Sequence, residues 1–300
     1  MRSKIYQFRR KKKVFSCLLL AALFFPMAVW GQTNQIQFDT SGSIDWVRKE
    51  LNAQASYNLA QAGIRLPVGR LLAEETLNEA YPGLLRPYLL SVRLDSGSTL
   101  RALVDKGEVS LEDLDRFSRE VEKVSSLSTD LSRIIGMYTV SLGKLSSFLN
   151  RHRQALEPQR PLIPVQTPDY TGIIIIANEE LPVRGRRSRT LAEPCLFPKI
   201  WDTEMNLIYE RNMYENRDIP MVRYTTAESI FRPTPSGLDG ELAALAGPNP
   251  LRIIAREIYG IYPTDPVIDR LDALKITSSD NNRRLLKEGR VVFVLNNNQL

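Results

Sequence analysis

Cysteine and histidine are scarce. Of 300 residues, two are cysteines, Cys17 and Cys195, and one is a histidine, His152. A closed Cys/His zinc site takes four such ligands, so the chain cannot build one by itself. A Ser-His-Asp or Cys-His mechanism has one histidine to draw on. His152 stands between Arg151 and Arg153, whose charges disfavour its protonation, and no sequence neighbour orients it as a base. A surface or helix-end position is therefore expected for it. Sixteen glycines and eighteen prolines are too few for collagen or a low-complexity chain. No Gly-rich phosphate loop, EF-hand spacing or solenoid-period repeat is present. What remains is an ordinary globular composition, 43% hydrophobic and 25% charged.

The positive charge is concentrated at the start. Met1 to Lys13 holds seven basic residues and no acid, and Val14 to Val29 is apolar apart from Ser16. A basic stretch before a short apolar one is the secretory signal pattern. Sixteen residues make a helix of about 24 Å, short of a bilayer core of about 30 Å, and Pro26 breaks it. Small enough residues at Val29 and Gly31 predict cleavage between Gly31 and Gln32; the rival reading is an uncleaved signal anchor. Cys17 opens the apolar run instead of following it, which argues against lipidation there. Without residues 1–31 the chain has 33 basic and 34 acidic residues. Its high overall isoelectric point then belongs to the leader, and nucleic-acid binding through bulk charge is not expected. The expected location is the periplasm or the outer membrane, with no transmembrane helix in the mature chain. Cys195 is left either as a buried small hydrophobe, which Leu196, Phe197 and Ile200 favour, or as an intermolecular crosslink.

The mature length suggests two domains. Glu157 to Asp169 carries Pro158, Pro161, Pro164 and Pro168, the composition of an extended connector. The expected organisation is a signal peptide at 1–31, an N-terminal α+β domain at 36–156, a Pro-rich linker at 157–168 and a C-terminal mixed α/β domain at 169–297. In the first domain, alternation from Leu51 to Leu59 predicts a half-buried strand, paired with Ile44–Val47 through Arg48–Glu50. Pro67 opens a helix expected to end near Tyr81, since Pro82 and Pro87 interrupt the pattern. Ser98 and Ser110 look like N-caps. Leu111, Leu114, Phe117, Val121 and Val124 form one helical stripe, and Ile134–Leu142 a strand. In the second domain, four isoleucines from Ile173 to Ile176 predict a central strand covered on both faces. Leu196–Trp201 and Leu207–Glu210 form a hairpin; Leu251–Tyr259, Pro266–Ile268 and Val291–Leu295 are further strands. Asp269 caps a helix to about Ile276, and Asn281–Glu288 is a helix stopped by Gly289. The fold class expected is α+β.

Several short blocks carry a family resemblance. They are Ala62–Arg70 (AGIRLPVGR), Val92–Ser96, Asp169–Ile175, Pro194–Asp202 (PCLFPKIWD), Leu207–Glu210, Asn249–Ile253 and Arg290–Leu295. Together they resemble the twenty-kilodalton outer-membrane lipoprotein family and its flagellar accessory relatives. The resemblance implies an envelope protein of structural or assembly type, with flagellar or outer-membrane assembly among its partners and no catalytic residue to carry over. The chain departs from the family in lacking a lipobox, and in Asn178-Glu179-Glu180 after the isoleucine strand.

The sharpest local feature is Arg184-Gly185-Arg186-Arg187-Ser188-Arg189. Guanidinium forks suit phosphate and carboxylate, so Arg184, Arg186, Arg187 and Arg189 are the candidate contacts to an anionic partner; the alternative is a solvated loop. Glu179 and Glu180 follow a buried-looking strand, where α/β sheets place active-site groups, but adjacent residues on an extended chain point oppositely and do not share a proton. Asp202, Glu204 and Asp269 are read as turn and cap residues. Phe231–Gly240 is a Pro/Gly-rich loop. The leading expectation is an exported protein that binds other envelope components, without enzyme activity, cofactor or metal. Its rivals are a carboxylate-dependent hydrolase with its site at the C-terminal sheet, and a surface binder of anionic polymer through the arginine loop.

Overall fold

In the computed structural model, residues 38–150, 155–215, 220–231 and 240–300 are described. The predicted cleavage site at Gly31–Gln32, His152, and 232–239 of the Pro/Gly-rich loop lie outside them.

The chain is α+β. Its N-terminal half builds β1 (Phe38–Asp45), β2 (Glu50–Asn58), α1 (Arg70–Ser91), α2 (Leu100–Asp105), α3 (Leu111–Arg119), β3 (Glu122–Leu127), β4 (Arg133–Ser141) and α4 (Leu142–Leu149). The four strands form one antiparallel sheet in the order β1-β2-β4-β3. Alternation does what it predicts in β2: Leu51, Ala53, Ala55 and Tyr57 are buried, and α1 packs on that face. The β1–β2 turn comes earlier than expected, with Asp45 opposite Glu50 and Lys49 in the left-handed region at φ 64°.

Three local expectations fail for tertiary reasons. First, α1 runs straight through Pro82 and Pro87. A helix-interior proline costs about 3 kcal/mol, but stopping at Tyr81 would strip Leu85, Leu89 and Leu90 from the core. Second, the stripe from Leu111 to Val124 is not one helix. α3 ends at Arg119, and residues 122–127 add to the free edge of β4, leaving Val124 53% exposed. Third, Ser98 caps no helix: its hydroxyl donates to Asp95 Oδ1 at 2.8 Å, and Thr99 precedes α2. Ser110 does cap α3, accepting from Asp113 N at 3.0 Å.

The C-terminal half builds β5 (Ile173–Ile176), β6 (Leu181–Pro182), β7 (Arg189–Thr190), β8 (Ile200–Asp202), β9 (Leu207–Tyr209), β10 (Arg223–Thr226), α5 (Ala227–Phe231), α6 (Gly240–Ala246), β11 (Leu251–Ile254), β12 (Glu257–Tyr259), β13 (Asp265–Ile268), α7 (Arg270–Ser278), α8 (Asp280–Lys287) and β14 (Val291–Leu295). One sheet is parallel, ordered β10-β14-β5-β11, and the isoleucine strand is interior and buried on both faces, as read. A second sheet is mixed, ordered β12-β13-β8-β9. The single strand expected over Leu251–Tyr259 is two strands in two sheets. The chain switches at Ala255 and Arg256, whose amides donate to Ile176 O and Val267 O. Asp269 caps α7 through Leu271 N at 2.9 Å, and α8 stops at Gly289 with φ +66°, where a Cβ would meet the Tyr214 ring.

The halves share one apolar core. The segment after α1 adds to the C-terminal half: Leu196 N donates to Arg93 O at 3.0 Å, Phe197 N to Leu94 O at 2.7 Å and Tyr262 N to Ser96 O at 3.0 Å. Trp46 meets Tyr224 edge-on with ring centroids 5.8 Å apart. No helix among the described residues is long and apolar enough to cross a membrane.

Candidate functional site

The four arginines do not form one cluster. β6 and β7 pair as a short hairpin with 183–188 at its tip, and Gly185 takes φ 78° there. Arg184 is drawn back against the body: its guanidinium bonds Glu257 Oε2 at 2.8 Å and Thr203 O at 2.9 Å, and its amide donates to Ile258 O. Arg189 donates to Glu180 O at 2.5 Å. Arg186 and Arg187 project from the tip, exposed and without an ion-pair partner among the described residues. The first and last arginines hold the hairpin; the middle two are free to bind.

The acids divide in a similar way. Glu179 and Glu180 stand in solvent beyond β5. Asp202 is buried and closes the β8–β9 turn, accepting from Glu204 N, Asn206 N and Asn206 Nδ2 at 2.8–2.9 Å.

Sequence reasoning missed Asp265. It is fully buried where the halves meet, and accepts from Lys199 N (3.0 Å), Thr264 Oγ1 (3.0 Å) and Trp201 Nε1 (3.3 Å), with Ser96 as a further donor. Burial raises its pKa, and these donors pull it back. Beside it the Cys195 thiol is also buried, raised first by burial and then by the Asp265 charge. A thiol so placed is protonated and inert. Tyr224 Oη accepts from Cys195 N at 3.1 Å and donates to Cys195 O at 2.8 Å. Every group here is spent on holding two segments together. The only signal in the sequence was an acid opening the β-rich Asp265–Ile268 run, where an unpaired carboxylate is costly.

The Pro-rich segment, read as an extended connector, is extended but is not a free linker. Residues 157–168 carry no helix or strand, yet they are pinned at both ends. Leu156 N donates to Asn212 O at 2.7 Å, Glu157 pairs with Lys287 at 2.8 Å, Arg160 with Asp280 at 3.0 Å, and Val165 N donates to Ser278 Oγ at 3.0 Å. Between these anchors Leu162 is fully exposed and Ile163 is 82% exposed. They border a groove of about 860 Å³, with the Arg270–Glu204 ion pair and the 63% exposed Leu271 on its other wall. A smaller groove, about 640 Å³, lies where Phe117 and Phe148 meet below Glu50, Glu120, Glu122 and Lys144. Among the described residues, no three His, Cys, Asp or Glu side chains are arranged to hold a metal ion.

Two family models match the chain. Residues 37–148 match the one described as Treponema pallidum Tp0624, N-terminal domain. Residues 172–297 match the one described as Treponema pallidum Tp0624, second domain. The two matched segments follow the same order as the two domains, and the interval between them contains the Pro-rich segment and both of its exposed apolar residues. Neither match is to the twenty-kilodalton outer-membrane lipoprotein family. No curated protein matches the chain.

Proposed function

We propose that this chain, whose halves match two Tp0624 domains in order, is an exported envelope protein of structural or assembly type that acts by binding a protein partner. One observation carries the reading. Leu162 and Ile163 are held out in solvent on a segment fixed at both ends, beside a groove that could seat apolar side chains. Such exposure costs solubility and has no part in the core, and contiguous exposed apolar surface marks an interaction site. The anchored ends mean that little ordering is left for binding to impose. The groove's rim carries both signs of charge, Arg160 and Arg270 against Glu204, which fits a protein surface better than a polyanion. Burying Leu162 and Ile163 in a partner would contribute about 1.5–3 kcal/mol each.

The test is site-specific photocrosslinking from position 162 in the native envelope, together with membrane and soluble fractionation. The expected result is one defined crosslinked species that disappears when Leu162→Ser and Ile163→Ser are introduced together. A full-length protein that stays monomeric and soluble, with no crosslink at that position, would overturn the reading.

A further inference from the structure

We infer that the hairpin tip is a second contact surface, one that seats on an anionic phospholipid membrane. Its two free arginines are half of the argument. Arg186 and Arg187 are exposed at a tip that cannot fold away, because Arg184 is tied to Glu257 and Thr203 and Arg189 to Glu180 O. The nearby acids do not cancel them: Glu257 is spent on Arg184, and Glu179 and Glu180 lie at the hairpin's open base, beyond the Leu181–Thr190 pair.

The other half is what stands next to the tip. Val183 and Ile258 form a parallel bridge, so the chains leaving them run in the same direction. One becomes the arginine tip; the other becomes Tyr259, Gly260 and Ile261. Tyr259 is 37% exposed and Ile261 68% exposed. The turn that carries Ile261 is fixed, since Tyr262 N donates to Ser96 O and Gly260, at φ +121°, lies against Ser96. Arg93 and Glu193 behind it pair with each other at 3.3 Å. Paired arginines beside an aliphatic and a tyrosyl side chain are the composition of a surface that lies in the headgroup region, with cations on phosphate and apolar tips at the acyl boundary. A soluble polyanion would use the arginines and leave Ile261 idle.

The hairpin is not part of the Leu162 groove, and its role in the cell rests on the export reading; the binding experiment does not. Purified protein lacking residues 1–31 is sedimented with vesicles of phosphatidylcholine and with vesicles containing phosphatidylglycerol. Binding to the anionic vesicles alone is expected, weakening as salt rises. Each arginine near such a surface contributes roughly fivefold in partitioning, so Arg186→Ser with Arg187→Ser should lose about twenty-five-fold. Ile261→Ser should weaken binding while keeping its salt dependence. Circular dichroism checks that each surface variant is folded. Inorganic phosphate at matched ionic strength separates the sources: displacement no stronger than by chloride supports a lipid surface, whereas specific displacement assigns the tip to free phosphate and overturns the inference. Equal binding to both vesicle types, or an unchanged double arginine variant, would also sink it.

Discussion

Buried hydroxyls decide how single residues respond to pH. Tyr81 and Tyr138 stack with ring centroids 4.2 Å apart, and burial raises both, Tyr138 to about 12 from 10.0. Tyr209 and Tyr224 are raised well above 10.0 for the same reason, with Tyr209 donating to Met221 O. A raised folded pKa favours folding while the proton is held in both states. Its contribution is whole below the unfolded value of 10.0 and is lost as pH rises from there towards the folded values. Thermal melts should therefore hold steady up to that value and then fall steeply. The phenolate absorbance should lag behind that of the unfolded chain, and rise together with unfolding for the buried rings. Free titration of every tyrosine in folded protein would contradict the packing around Tyr81, Tyr209 and Tyr224. None of this was legible beforehand, because a tyrosine's apolar ring and polar tip suit a surface as well as a core. Arg184 and Arg186 make the same point about charge: two residues apart and chemically identical, one is neutralised by Glu257 from another strand and the other is not.

Elements were most legible where neighbours could not compete. The β2 alternation, the isoleucine strand, the Asp269 cap and the Gly289 stop all stand where local pattern put them. The misreadings fell where an element could gain more by joining a partner. β3 left the α3 helical period for the edge of β4, and α1 kept going through two prolines to cover the sheet. α1 thus carries local costs that its packing offsets, which makes it improvable. Gly83 sits between the prolines' two turns, is exposed, and a Cβ built there meets nothing within 4 Å. Gly83→Ala should stabilise the fold by about 1 kcal/mol, read as a rise in the denaturant midpoint at unchanged slope. A loss of stability would mean that the helix between Pro82 and Pro87 needs glycine's freedom.

At the scale of the whole molecule, two matched domains make one core. Backbone bonds from Arg93, Leu94 and Ser96 enter the C-terminal half, and Asp265 collects donors from both sides of that junction. The described body should therefore unfold in a single calorimetric transition. Asp265→Asn turns one acceptor oxygen into a donor facing existing donors, and should lower that transition's stability by about 1–3 kcal/mol without splitting it. Two separate transitions in the parent protein would show that the junction holds the halves less tightly than its bonding indicates. The exposed groove and the hairpin tip both lie in the C-terminal half or on the segment that enters it, and the N-terminal half reaches them only where Ser96 O holds Tyr262 N beside Ile261.

The linear chain by itself determined the α+β class, the buried isoleucine strand and the shortage of Cys and His, because each depends on composition or on a period of two or three to four residues. Which arginines are free, which carboxylate is buried and which leucine stands in water were decided only by tertiary structure. Those outcomes turn on partners scores of residues away, such as Glu257 for Arg184 or Ser96 for Asp265, and no local pattern encodes such a meeting.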